Sequence, residues 1–162
     1  MTHADSMAYR TRNALDGMVA GIIATGAMSL FMVATHRLLP REERYPLPPR
    51  LITEHTLGGS GSSAEETPIG QASAYAAHFL FGGACGALYG SLQRQNGPPT
   101  SGITYALGVW LASYLGWVPV IGAMPPATEQ PANRNVLMLA AHVVWGLALE
   151  ASYRRIRSQT DR

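Results

Sequence analysis

Long apolar runs without a charged side chain dominate this sequence. No Asp, Glu, Lys or Arg occurs in residues 17–35, 71–93, 101–128 and 135–149. A helix needs about 20 predominantly apolar residues to cross a bilayer. The first three runs reach that length, and the fourth does so if Glu150 and Tyr153 lie at the membrane interface. The pattern therefore predicts four transmembrane helices, at about 15–38, 71–93, 101–121 and 135–153.

A soluble four-helix bundle is the alternative explanation of these runs. Helices of a soluble bundle carry an apolar stripe opposite a charged face, and these four runs have no charged face. We therefore predict an all-α fold, a four-helix transmembrane bundle that contacts the lipid bilayer. It forms one membrane domain over residues 15–157, with tails at 1–14 and 158–162 and a long loop at 39–70.

One motif occurs twice. Residues 76–89 read AAHFLFGGACGALY and residues 140–153 read AAHVVWGLALEASY. Each copy has Ala-Ala-His, two apolar residues, an aromatic residue, a glycine and, seven positions later, a tyrosine. On an α-helix the histidine, glycine and tyrosine of each copy share one face. Because each copy falls on the second helix of a predicted hairpin, the bundle is interpreted as two pseudo-repeated helical hairpins about an axis normal to the membrane.

Small residues spaced by four predict that helices pack closely in lipid, because their backbones can then approach one another. Gly82, Gly86 and Gly90 form such a series in the second span, and Gly146 lies in the fourth. Further series of this kind are Gly17 and Gly21 in the first span and Gly108, Ala112 and Gly116 in the third.

The repeated histidines, His78 and His142, are predicted to lie at one depth within the membrane, each on the same helix face as Tyr89 or Tyr153. Ionisable groups within a membrane are costly and point to a function. Three interpretations stay open. The imidazoles brace neighbouring helices through hydrogen bonds, they are axial ligands of a b-type haem, or they belong to a metal or proton site with the other histidines. The spacing matches no metal-binding signature.

The polar residues narrow the function further. Glu150 is predicted to pair with Arg154 one turn later at the cytoplasmic interface. Charged residues make up only 14% of the chain and the net charge is +2, so a nucleic-acid surface is not expected. The lone Cys85 excludes an internal disulfide. We find no nucleophile–base pair, phosphate loop or metalloprotease motif, so no enzymatic activity is expected.

Several short motifs, in order, resemble those of YagU-like bacterial inner-membrane proteins. They are Pro48-Pro49-Arg50, His78 in a glycine-rich span ending at Tyr89, Pro119-x-x-Gly122-x-Met124-Pro125-Pro126, and His142-x-x-Trp145 followed by Glu150 and Arg154-Arg155. The resemblance is best over residues 77–157. It implies a multi-span protein of the bacterial inner membrane whose activity is not established, and it implies no catalytic residue.

Three functions are consistent with these features. The first is a structural or accessory membrane subunit, with a second copy or a membrane complex as its partner. The second is a small transporter or proton-responsive channel that uses the membrane histidines. The third is an electron carrier that binds haem through both histidines.

Arginine positions predict the orientation in the membrane. The two tails and the second loop hold seven arginines and the other two loops hold five, so the bias of basic residues places both termini in the cytoplasm. A cysteine introduced at Ser60 is therefore expected to react with a membrane-impermeant reagent added outside the cell, whereas one at the C-terminus is not. Labelling of both positions from one side would contradict this topology.

Overall fold

The computed structural model describes residues 3–38, 68–93, 100–123 and 125–160. In these ranges the chain is helical, with no strand. Its four helices are α1 (His3–Leu38), α2 (Pro68–Leu92), α3 (Gly102–Val120) and α4 (Ala132–Thr160). A single 3-10 turn, Ala127–Glu129, precedes α4. The predicted all-α, four-helix fold is confirmed.

Successive helices of the bundle run antiparallel. Gly17 of α1 packs beside Gly90 of α2, and Asn13 of α1 bonds to Arg157 of α4. The start of α1 and the end of α4 therefore lie together at one end of the bundle, which we call the terminal end. Helix α1 packs along both α2 and α4, and α3 packs along α4, whereas α2 and α3 approach each other at only a few positions.

Three of the helices are long and apolar enough to cross a membrane, namely those at Ser6–Thr35, Gly102–Val120 and Ala132–Gln159. Helix α2, which was also predicted as a span, is not among them. Glycines occupy many of its positions where a larger apolar residue would raise the hydropathy, and it contains the polar His78.

The outward surface of the bundle is apolar on every helix. Large exposed side chains include Ile22 and Leu30 of α1, Leu80 and Leu88 of α2, Leu111 and Val120 of α3, and Val136 and Leu147 of α4. Leu30 and Leu80 are each 74% exposed. A helix bundle in water would present charged residues at these positions, so this surface suits contact with lipid.

Glycines bring α1 and α2 into direct backbone contact. A Cβ atom added at Gly86 would lie 2.7 Å from the Cα of Gly21, and one added at Gly17 would lie 2.9 Å from the Cα of Gly90. Gly82 lies against Thr25 in the same way. Real side chains essentially never come within 3.0 Å of such atoms, so the crossing admits only glycine. The glycine series of the first two spans thus forms one interface.

The glycine series predicted for the third span makes no helix contact among the described residues, so its packing against a partner outside this chain stays a prediction. A Cβ atom at Gly108 or Gly116 would meet nothing within 4 Å, and Ala112 is exposed. Helix α3 instead packs through Gly102 and Ala106, which lie against Gly146 of α4. The packed face of α3 continues through the larger Trp110 and Tyr114. Gly108 and Gly116 each come two positions after a residue of this face, which is about 200° around the helix, so they lie on the opposite side of α3.

The helices extend beyond the predicted spans, so the tails that we predicted at 1–14 and 158–162 are helical where they are described. Helix α1 begins at His3 and α4 ends at Thr160. Asn13, only 1% exposed, accepts a hydrogen bond of 2.9 Å from Arg157, whose guanidinium also lies 3.9 Å from Asp16. The length of an apolar run indicates which part of a helix suits a membrane, but it does not determine where the helix ends. Most of the predicted loop at 39–70 lies outside the described residues.

Gly86→Ala should reduce the free energy of unfolding by about 1–3 kcal/mol, because the methyl group would force α1 and α2 apart. Gly108→Ala is the matched control, since it adds the same methyl group in a helix but meets open space. We expect the control to raise stability by up to about 1 kcal/mol, because alanine favours a helix over glycine and its methyl group meets no neighbour. Denaturant titration in detergent micelles measures both, and equal effects would contradict backbone contact at Gly86.

Candidate functional site

A π-helical turn interrupts α3 at Ser113–Trp117. The N–H of Val118 bonds to the carbonyl of Ser113, five residues earlier, and Gly116 has non-helical angles (φ −108°, ψ −109°). Pro119 follows directly; it has no N–H, and its ring crowds the preceding turn of a regular α-helix. Such wide turns re-aim side chains and occur frequently at functional sites. Here Ser113 and Tyr114 face the interior of the bundle.

A cavity of about 290 Å³ lies between the four helices. Its wall is mostly apolar, and the polar groups on it are few. The apolar side chains include Met28, Met32 and Met138 and the aromatic Phe81, Tyr114, Trp117 and Trp145. The polar side chains are Thr25, Ser113 and the two repeated histidines.

His78 and His142 line this cavity from α2 and α4, so the structure brings the two copies of the motif together. The Nδ1 atom of His142 lies 2.8 Å from the carbonyl oxygen of Met138, one turn earlier in the same helix. A carbonyl can only accept, so Nδ1 carries the proton and the neutral ring leaves Nε2 as an acceptor. His78 has no hydrogen-bond partner among the described residues. Neither imidazole therefore braces two helices through a hydrogen bond in this part of the chain.

The repeated tyrosines form an aromatic layer one to two turns from the cavity, towards the terminal end. The rings of Tyr89 and Tyr153 meet edge to face, with centroids 5.6 Å apart, and Tyr105 lies 5.3 Å from Tyr89. The hydroxyl of Tyr89 donates to the carbonyl of Thr100 at 2.8 Å, and that of Tyr105 donates to the carbonyl of Cys85 at 2.7 Å. The layer links the helices and borders the cavity.

The aromatic residue of the motif differs between the copies, and so does its environment. Trp145 is buried and donates to the hydroxyl of Thr25 at 3.1 Å, which joins α4 to α1. Thr25 in turn donates to the carbonyl of Gly21. The equivalent Phe81 cannot donate; it is 44% exposed and contacts Trp117, with ring centroids 5.8 Å apart. At the level of the cavity, the aromatic residue of the motif therefore adds a hydrogen bond between α4 and α1, whereas between α2 and α3 it makes a ring contact only.

Glu150 anchors the start of α3. Its carboxylate accepts a hydrogen bond of 2.8 Å from the N–H of Gly102, which a helix start leaves without a partner of its own. It also pairs with Arg154, as the spacing predicted. Glu150 in the second copy of the motif corresponds to Gly86 in the first. The second copy therefore has a carboxylate where the first has a glycine that contacts α1.

Pro125 and Pro126 do not line the cavity. They lead into the 3-10 turn, and the side chain of Gln130 donates to the Pro125 carbonyl at 2.6 Å. Pro48, Pro49 and Arg50 lie outside the described residues, as do His55 and the side chain of His36. The predicted metal or proton site with the other histidines therefore stays a prediction. In the described ranges, no group of three or more His, Cys, Asp or Glu residues is placed to hold a metal ion.

Sequence reasoning missed several cavity residues, chiefly Thr25, Ser113 and the methionines. Met28 and Met32 continue the four-residue series of Ala20 and Ala24 along the buried face of α1, and that spacing was an available signal. Ser113 and Tyr114 reach the cavity through the π-helical turn, which only the nearby Pro119 could have suggested.

Fold and cavity together define a class: an all-helical bundle with an apolar exterior and a small internal cavity. The chain belongs to a family of unknown function, DUF6789, whose model matches residues 11–162. No curated protein and no solved structure matches the chain. The resemblance to YagU-like proteins stays a prediction.

Trp145→Phe should lower the free energy of unfolding by about 1 kcal/mol, because it removes the hydrogen bond between α4 and α1. His142→Gln removes no bond between helices and should cost less. Denaturant titration of both variants in mixed micelles makes the comparison. A larger loss for His142→Gln than for Trp145→Phe would show that the imidazole braces the bundle.

Proposed function

We propose that this protein is an integral membrane protein that binds a small lipophilic molecule in the cavity between its four helices. The observation that carries the proposal is the cavity itself, about 290 Å³ in volume, with apolar walls and a few converging polar groups. Ligand sites in proteins have this composition and often lie between the helices of bundles. The volume suits a molecule of roughly one aromatic ring with a short chain.

Access from the lipid is supported by the unequal packing of the helices. Glycine contacts close the α1–α2 and α3–α4 sides, and the bond from Trp145 to Thr25 helps to close the α1–α4 side. Among the four pairs of adjacent helices around the bundle, α2 and α3 make the sparsest contact. Phe81 and Trp117, which are 44% and 37% exposed, line the cavity on that side. A lipophilic molecule would enter there without passing through water.

The membrane assigned to the protein is the bacterial inner membrane, with both termini in the cytoplasm. Three observations support this assignment. They are the apolar outward surface, the arginines at the terminal end, and the adjacent positions of the start of α1 and the end of α4. The resemblance to YagU-like proteins agrees with it. In this setting the protein is a ligand-binding accessory protein rather than an enzyme, with a second copy or a membrane complex as its partner.

The other functions have less support. Transport of a polar solute needs a polar route, and the cavity walls and the adjoining tyrosine layer offer few polar groups. Haem binding is favoured by the two imidazoles in one cavity, but among the described residues no arginine lines the cavity to pair with the propionates. Visible absorbance of the purified protein tests the haem alternative directly.

The binding function is tested by titrating para-butylphenol into the protein in lipid nanodiscs. Binding is followed by the fluorescence of the cavity tryptophans, and empty nanodiscs are the control. Ala77 lines the cavity and its neighbour Ala76 does not, although both are exposed. Ala77→Phe should weaken binding about tenfold or more, because the ring occupies the cavity. Ala76→Phe is the matched control and should bind like the unmodified protein. Equal binding by both variants would place the ligand elsewhere, and no saturable binding would refute the proposed function.

A further inference from the structure

The two histidines of the cavity present complementary hydrogen-bonding groups. In the neutral ring of His142, Nδ1–H is engaged by the Met138 carbonyl, so Nε2 can only accept. His78 has no hydrogen-bond partner among the described residues, so its ring can donate. An imidazolium within the membrane would be costly, which favours the neutral rings. Both rings line the same cavity.

Resting on the proposed function, we propose that the bound molecule carries a hydroxyl group on an aromatic ring. The hydroxyl donates to Nε2 of His142 and accepts from the N–H of His78. The ligand class is a lipid-soluble phenol, of the kind found in the reduced head group of a quinone.

The hydrogen-bonding groups of the cavity favour a hydroxyl over the other common polar groups of a ligand. A hydroxyl is one atom that both donates and accepts. A ketone or an ether only accepts, which leaves Nε2 of His142 without a donor. A carboxylate also only accepts and needs a counter-charge, and the part of the chain that the structure describes places no basic side chain on the cavity wall. An amide divides its donor and acceptor between two atoms and loses more hydration on entering apolar surroundings.

The aromatic side chains in the cavity wall favour a ligand with an aromatic ring. Tyr114 meets His142 edge to face, with centroids 6.3 Å apart, and Trp145 lines the cavity one turn further along α4. Aromatic faces and edges pack well against a flat ring, and the flexible methionines Met28 and Met32 adapt to its outline. The sparse contact between α2 and α3 leaves room for an apolar tail to extend into the lipid.

The experiment compares three probes that differ only in the polar group: para-butylphenol, its methyl ether para-butylanisole, and butylbenzene. Each is titrated into the full-length protein in nanodiscs. The phenol should bind about tenfold more tightly than the other two, because only the phenol supplies a donor to Nε2. His142→Phe keeps a ring but removes the acceptor, so it should lower phenol affinity to that of butylbenzene. Unchanged butylbenzene binding by this variant shows that the cavity is intact. His78→Gln keeps a donor and should retain the preference for the phenol.

The outcomes separate this inference from the proposed function. Equal affinity for the three probes would overturn the inference while the cavity remained a binding site. A phenol preference that survives His142→Phe would also overturn it, because the hydroxyl would then lie elsewhere. No binding of any probe would overturn the proposed function and the inference together.

Discussion

The backbone contact between α1 and α2 is the constraint on which the rest of the bundle depends. Five glycines let the two helices approach until one backbone touches the other. In lipid, where apolar side chains gain little by leaving their solvent, such contact and interhelical hydrogen bonds hold helices together. The crossing also fixes which face of α1 turns towards α4. On that face Asn13 and Thr25 meet Arg157 and Trp145, so the contact of one helix pair determines the contacts of the next.

The duplicated motif has the same histidine and tyrosine positions in both hairpins, and the differences between its copies change how each hairpin is held. The two tyrosine rings meet edge to face, and the two histidines line one cavity. Two of the positions that differ have clear consequences. Trp145, in place of Phe81, donates a hydrogen bond to Thr25 of α1, and Glu150, in place of Gly86, accepts one from the first residue of α3. The second hairpin therefore depends more on hydrogen bonds and less on glycine contacts than the first.

Much of the fold was readable in the sequence, whereas the site was readable only in part. Charge-free runs and glycine spacing are properties of one helix, so they predicted the helices and the glycines that form the α1–α2 contact. They did not predict which helices would meet, because that depends on the partner helix: the glycines of α1 and α2 face each other, whereas Gly108 and Gly116 face away from the described helices. The histidines were found as polar residues in apolar segments. The cavity around them depends on the π-helical turn and on how the four helices pack together. Neither can be predicted from a local sequence pattern.

The bonds between the first and last helices also bear on how the protein is made. Asn13 and Arg157 are separated by 144 residues, and N-terminal segments leave the ribosome first. Helices α1 and α2 can pair as soon as both are inserted, since their glycine contact needs nothing else. Thr25 bonds to the carbonyl of Gly21 in its own helix in the meantime. Asn13 meets its partner only when α4 arrives. The cavity, which has walls from all four helices, therefore forms only when α4 has packed against the others.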